Sequence, residues 1–152
     1  MASFKNLPFE SEEAINFHNE EIDLALSDQD KTSAWIKSAI LQEGRKLGNL
    51  NFIFCSDTYL HKINVDYLDH DTLTDVITFP YSDTHIEGDI FISIDRITEN
   101  AKSFAVSVDD ELNRVIIHGV LHLMGYGDKS AEDKHQMTLK ENIYLCLLKG
   151  MS

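Results

Sequence analysis

Apolar and polar residues change period several times along the chain, and each change marks an element. Ile15-Asn16-Phe17-His18 and Ile22-Asp23-Leu24-Ala25-Leu26 alternate with a period of two, as short strand or extended segments do. From Lys31 to Leu47 the period lengthens. Trp35, Ile36, Ala39, Ile40 and Leu47 fall mostly on one helical stripe, with Gly48 placed to end it. Asn51–Cys55 is a short β-rich apolar run, and Ser56 can cap a helix bearing Leu60, Ile63 and Tyr67. Asp75–Tyr81 and Asp89–Ile94 read as strands separated by a polar loop that includes His85 and Gly88. Asp95 then caps a short helix carrying Ile97, Ala101 and Phe104. Ser107 with Asp110 opens another, whose inward stripe includes Leu112, Val115, Ile116 and Leu123. Ser130 with Asp133 opens the last helix, which runs to about Leu148. Helices following strands, with two more at the end, predict a small mixed α/β sheet with helices packed on it.

A length of 152 residues, 43% of them apolar, suits one compact domain spanning 1–152. There is no repeat, low-complexity run or Pro/Gly-rich linker, and the only prolines are Pro8 and Pro80. No apolar run approaches the ~20 residues that cross a bilayer. Met1–Glu13 lacks an apolar signal core, so a cytoplasmic location is expected. Cys55 and Cys146 lie in a strand-like and a helix-like apolar stretch and read as buried thiols, not as a disulfide or metal pair. The acidic run Glu10, Glu12, Glu13 and the Glu20-Glu21 pair read as a solvated face.

The chemistry concentrates in His118-Gly-Val-Leu-His-Leu-Met-Gly-Tyr-Gly-Asp128. On a helix, His118 and His122 share one face with Cβ atoms about 5–6 Å apart, close enough for both imidazoles to hold one ion. Gly125 stands where a helix would end on a left-handed turn, after which the chain can bring Asp128 back toward the same ion. Two imidazoles and a carboxylate leave a coordination position open, as catalytic zinc sites do. Asp133 or His135 could replace Asp128, or there could be no third protein ligand. The plainer alternative is a capped helix with two surface histidines. His18, His61, His70 and His85 have no partner four residues away and read as surface or loop residues. Metallopeptidases with the same histidine spacing carry a Glu general base directly after the first His. Here that position is Gly119, which argues against a peptidase.

The segment resembles the signature of the YbeY family, metal-dependent endoribonucleases that mature ribosomal RNA. His118, Gly119, Leu121, His122, Leu123, Gly125 and Tyr126 match in place, and Thr74-Asp75-Val76-Ile77-Thr78-Phe79-Pro80 and Gly88-Asp89-Ile90-Phe91-Ile92-Ser93 are similar to two further family stretches in the same order. The resemblance covers roughly residues 50–148. It implies an α+β domain with a mostly parallel mixed sheet of about four strands, and a divalent transition metal, with zinc expected, at His118, His122 and Asp128. It also implies that Thr74 and Asp75 line the substrate cleft, whereas the bland reading of Asp75 is a cap or a backbone hydrogen bond. Ribosomal RNA is the implied substrate, cleaved as single strand in rRNA maturation and ribosome quality control. Two positions depart from the family. Asp128 stands where most members have a third His. Leu68 stands where the family tends to have an Arg implicated in cleavage, after Asn64-Val65-Asp66-Tyr67. With 13 Lys and Arg against 26 Asp and Glu, the net charge is −13, and the basic residues are scattered. Tight binding to naked RNA is not expected of such a surface; ribosomal or ribosome-associated proteins are expected to help position the RNA. The alternative from another class is a metal-stabilised ribosome-assembly factor with little catalysis of its own.

Overall fold

The computed structural model describes residues 13–68 and 74–152. Glu10, Glu12 and His70, singled out above, lie outside them. The elements run β1 (Ala14–Glu20), α1 (Gln29–Gln42), β2 (Lys46–Cys55), α2 (Asp57–Leu68), β3 (Val76–Pro80), β4 (His85–Ser93), α3 (Ile94–Phe104), α4 (Val108–Leu123) and α5 (Ala131–Lys149). The sheet order is β1-β2-β4-β3, with β1, β2 and β4 parallel and β3 antiparallel to β4 at one edge. This is the four-stranded, mostly parallel mixed sheet that the resemblance implied.

Alternation along the strands sorts residues between the two sheet faces. Leu50, Phe52 and Phe54 of β2 and Ile86, Ile90 and Ile92 of β4 join one buried core with Trp35, Ile36 and Ile40 of α1, Ile97 of α3, and the apolar stripe of α4. Each such side chain, fully removed from water, contributes about 1.5–3 kcal/mol. The opposite face divides in two. At the β3–β4 end α2 covers it, with Cys55, Leu60 and Ile77 buried beside Phe79 and Phe91. Elsewhere a polar ladder crosses three strands: Asn16 donates to Asn51 (3.0 Å) and Asn51 to Asp89 (3.1 Å).

Several local expectations need correction. The first helix ends at Gln42, not near Leu47, and Gly44 (φ +72°), not Gly48, is its left-handed stop. The amide of Arg45 reaches back to the Ile40 carbonyl and that of Gly44 to Leu41, which closes the last turn. Leu47 therefore belongs to β2. His85 and Gly88, read as loop, lie in β4, where Ile86 pairs with Leu47 and is fully buried. Ser93, not Asp95, caps α3, since its hydroxyl accepts from the Arg96 amide. Residues 22–26 form no strand, although Ile22, Leu24 and Leu26 pack partly against the core. Cys55 is buried, and burial with nearby carboxylates pushes its thiol up to about 12. Cys146 is exposed, because α5 buries the stripe through Met137, Glu141 and Tyr144 and turns residue 146 outward.

Candidate metal centre

Ser107 starts α4 by accepting from the Asp110 amide, and Leu112, Val115, Ile116, Val120 and Leu121 seat the helix on the core. Gly119 marks where it passes closest to the sheet. A Cβ there would stand 2.9 Å from Cγ2 of Ile90. The position that would carry a peptidase's general base thus faces β4, and packing leaves no room for any side chain. Three residues past His122 the helix stops as its sequence predicts. Gly125 has φ +103°, and the amides of Gly125 and Tyr126 bond back to the carbonyls of His122 and Leu121.

The turn that follows is tied down from a distance. Arg45, just beyond α1, donates from Nη1 to the Met124 carbonyl at 2.9 Å. The Tyr126 hydroxyl donates to Oε1 of Glu43 at 2.6 Å, and Glu43 also accepts from Lys140 (2.9 Å) and from the Tyr144 hydroxyl. Burial alone would raise the Glu43 pKa, but these three donors together hold it below the ordinary carboxylate value.

So anchored, the turn delivers Asp128 to the two histidines. Oδ2 of Asp128 lies 3.3 Å from Nε2 of His122 and 3.6 Å from Nε2 of His118. The two rings stand nearly perpendicular, with centroids 4.5 Å apart, and the three donor atoms all lie within 4.8 Å of one another. Donors bound to one tetrahedral ion at about 2.0–2.1 Å stand roughly 3.3–3.5 Å apart, so the carboxylate–imidazole separations suit a shared ion. Neither Asp133 nor His135 belongs to this convergent group. Both are exposed near the start of α5.

Behind the histidines lies a cluster that local sequence reading missed. Glu141 is 5% exposed, and its Oε2 lies 2.6 Å from Nδ1 of His118. Arg114 approaches the other oxygen of Glu141 at 3.5 Å and grips Glu111, 2% exposed, through Nε and Nη2 at 3.0 and 2.6 Å. One sequence signal was available: Glu141 interrupts the stripe of Met137 and Tyr144, where a charge needs a partner. The carboxylates of Glu111 and Glu141 share the guanidinium of Arg114, and Asp75 also lies within electrostatic reach of it. Donor type and donor spacing both fit a divalent ion.

A cleft of about 290 Å³ opens at the three donors. Thr74, Asp75 and β3 residues through Thr78 line one wall, and Asn64 and Leu68 from the end of α2 line the other. Thr74 and Asp75 therefore line the same cleft as the three donors. Asp75 also serves the scaffold: its carbonyl accepts from the Ser93 amide, and its carboxylate from Asn100 at 3.4 Å. Leu68 is 38% exposed and lines the cleft from the end of α2. No Lys or Arg is among the described residues lining this cleft.

The comparisons with known proteins agree with this geometry. The family profile described as Endoribonuclease YbeY matches residues 14–149, so the likeness begins some 35 residues earlier than the sequence motifs indicated. Proteins named Endoribonuclease YbeY from Flavobacterium johnsoniae and Amoebophilus asiaticus are 49% and 48% identical to it, over 84% and 86% of this chain and 92% and 90% of theirs. The solution structure of TM1509 from Thermotoga maritima superimposes with a TM-score of 0.64 at 25% identity, covering 90% of each chain. Matched from residue 14 to 149 and nearly half identical to proteins of that name, the chain belongs to the YbeY family.

Proposed function

We propose that this protein is a metal-dependent endoribonuclease that cleaves single-stranded ribosomal RNA during rRNA maturation and ribosome quality control. The observation that carries the reading is the convergence of His118, His122 and Asp128 at the mouth of a cleft in a chain nearly half identical to endoribonucleases. The two Nε2 atoms and the Asp128 carboxylate would hold the ion, with zinc the expected metal for two imidazoles and one oxygen donor. Bound there, it would supply Lewis-acid polarisation of a phosphodiester oxygen and of water. Thr74 and Asp75 line the cleft beside the three donors and would flank the RNA backbone there. The chain works as one domain.

Charge dictates how the substrate is held. With a net charge of −13 and no Lys or Arg among the described residues lining it, the cleft offers RNA phosphates little direct grip. Ribosomal or ribosome-associated proteins with basic surfaces are the partners that would present the RNA, in the cytoplasm. No helix among the described residues is long and apolar enough to cross a membrane. The metal-stabilised assembly factor is less well supported. A purely structural site closes its coordination sphere with four protein ligands, whereas three converge here among the described residues. The test is cleavage of a single-stranded ribosomal RNA fragment by purified protein, with loss expected in His122→Ala and after chelation, and with a duplex of the same sequence resistant. Cleavage that persists in the His118→Ala/His122→Ala double variant would overturn the proposal.

A further inference from the structure

We infer that Glu141 is a positioning residue that fixes the tautomer and ring orientation of His118, so that its Nε2 faces the cleft unprotonated. The inference rests on the metal-site reading above and extends it to a residue on a different helix. Glu141 sits in the buried stripe of α5 between Met137 and Tyr144, where a carboxylate must find donors. Two are in reach: Arg114 Nη1 at 3.5 Å from Oε1, and His118 Nδ1 at 2.6 Å from Oε2. An ionised carboxylate only accepts, so Nδ1 must carry a hydrogen. A neutral imidazole has one ring hydrogen. With Nδ1 protonated, the lone pair falls on Nε2, the atom that faces Asp128.

The carboxylate is itself held against rotation. Arg114 is clamped to Glu111 by two charge-assisted hydrogen bonds, and a further donor on Nη1 approaches Oε1 of Glu141. The run Glu111–Arg114–Glu141–His118 therefore transmits one polarity, acceptor to donor, from the buried side of α4 to the ring. Without it, a neutral His118 could put its proton on either nitrogen, and the Nε2–H form cannot accept an ion. Partners of this kind are worth about 10–100-fold in metal affinity.

Glu141→Gln tests this sharply. Arg114 favours the amide oxygen, which turns the NH₂ group toward Nδ1. That nitrogen must then accept, and the hydrogen is forced onto Nε2. The variant should fold, by circular dichroism, and should bind zinc about 10–100-fold more weakly in competition with a chromophoric chelator. In metal-free protein, at a pH where both rings are neutral, long-range ¹⁵N–¹H correlation should show His118 as Nδ1–H in the wild type and as Nε2–H in the variant. A group that merely filled space would leave the tautomer unchanged. Wild-type His118 protonated at Nε2, or zinc affinity unchanged in Glu141→Gln, overturns the inference. If the wild type itself takes up no zinc, the metal-site reading fails instead, and the tautomer in the wild type still decides the role of Glu141 even if the variant does not fold.

Discussion

Replacing Tyr126 by Phe removes one oxygen, and with it the link from the turn bearing Asp128 to Glu43. The lost bond is short, 2.6 Å, and charge-assisted. Such bonds contribute about 1.5–3 kcal/mol, and because Tyr126 is only partly buried the lower end, about 1.5 kcal/mol, applies. For a domain of this size that corresponds to a fall in Tm of roughly 3–6 °C. Glu43 keeps Lys140 and Tyr144, so the α1–α5 packing should survive. The effect should concentrate on the turn. Arg45 still holds the Met124 carbonyl and Gly125 still ends the helix, so the turn persists but its far end, with Asp128, is less constrained. Zinc affinity should drop about tenfold, the low end for an orienting partner. Thermal denaturation of metal-free protein and chelator competition separate the two effects. A fall in Tm with no change in zinc affinity would refute the claim that this hydroxyl positions Asp128. The same network has a pH signature. The Glu43 carboxylate is held below its ordinary value, so its stabilisation is fully present above the unfolded carboxylate pKa and is lost as pH falls through the lowered one. The wild type's Tm advantage over Tyr126→Phe should therefore shrink below about pH 4.

Three other changes probe the site and the helix that carries it. Asp128→Ala should weaken metal binding by at least about tenfold, whereas Asp128→His should keep the fold and the metal and shift preference from manganese toward zinc, both read by metal analysis and competition titration; unchanged affinity in the alanine variant would remove Asp128 from the ligand set. Leu68→Arg places a guanidinium at the wall of a cleft that has none among its described lining residues and should raise RNA cleavage, by up to about 10²-fold if it reaches the developing phosphate charge; a rate equal to that of wild type would show that this position does not face the substrate. Gly119→Ala should lower Tm by about 2–4 °C, because overpacking against Ile90 costs about 1–3 kcal/mol and exceeds the roughly 1 kcal/mol gained in helix propensity, and a raised Tm would mean that Ile90 repacks freely.

What could be read from the sequence was local. The His118–His122 spacing, the Gly125 stop and the Ser56, Ser107 and Ser130 caps depend on neighbours within one or two turns, and the structure has them as read. The errors came where two local signals competed. Leu47 continues the helical stripe of Ile40 and also begins a strand; Gly44, three residues earlier, ends the helix by adopting a positive φ that the apolar pattern does not encode. His85-Ile86-Glu87-Gly88 looks like a polar loop because its outward residues are His and Glu, and only pairing with β2 shows that Ile86 points into the core. Contacts between distant segments were invisible. Glu141 meets His118 across 23 residues, and Tyr126 meets Glu43 across 83, distances at which periodicity carries no information.

Those long-range contacts explain why so small a site is built on the whole fold. The ring of His118 is held from α5, the turn before Asp128 from the α1–β2 connection, and α4 itself by its close pass over β4 at Gly119. Two of these tethers act on single donors and the third on the helix that carries both histidines, so loss of any one should weaken metal binding before it unfolds the domain. The dependence also runs the other way. A divalent ion at the three donors would bind only the folded arrangement, because the unfolded chain has no preformed site. Binding and stability are therefore one equilibrium: at free metal a hundredfold above the dissociation constant, the ion adds about 2.7 kcal/mol to the folded state. For a chain of net charge −13, whose cleft has no Lys or Arg among its described lining residues, a bound divalent ion would be both a brace for the fold and the positive charge that an RNA phosphate meets there.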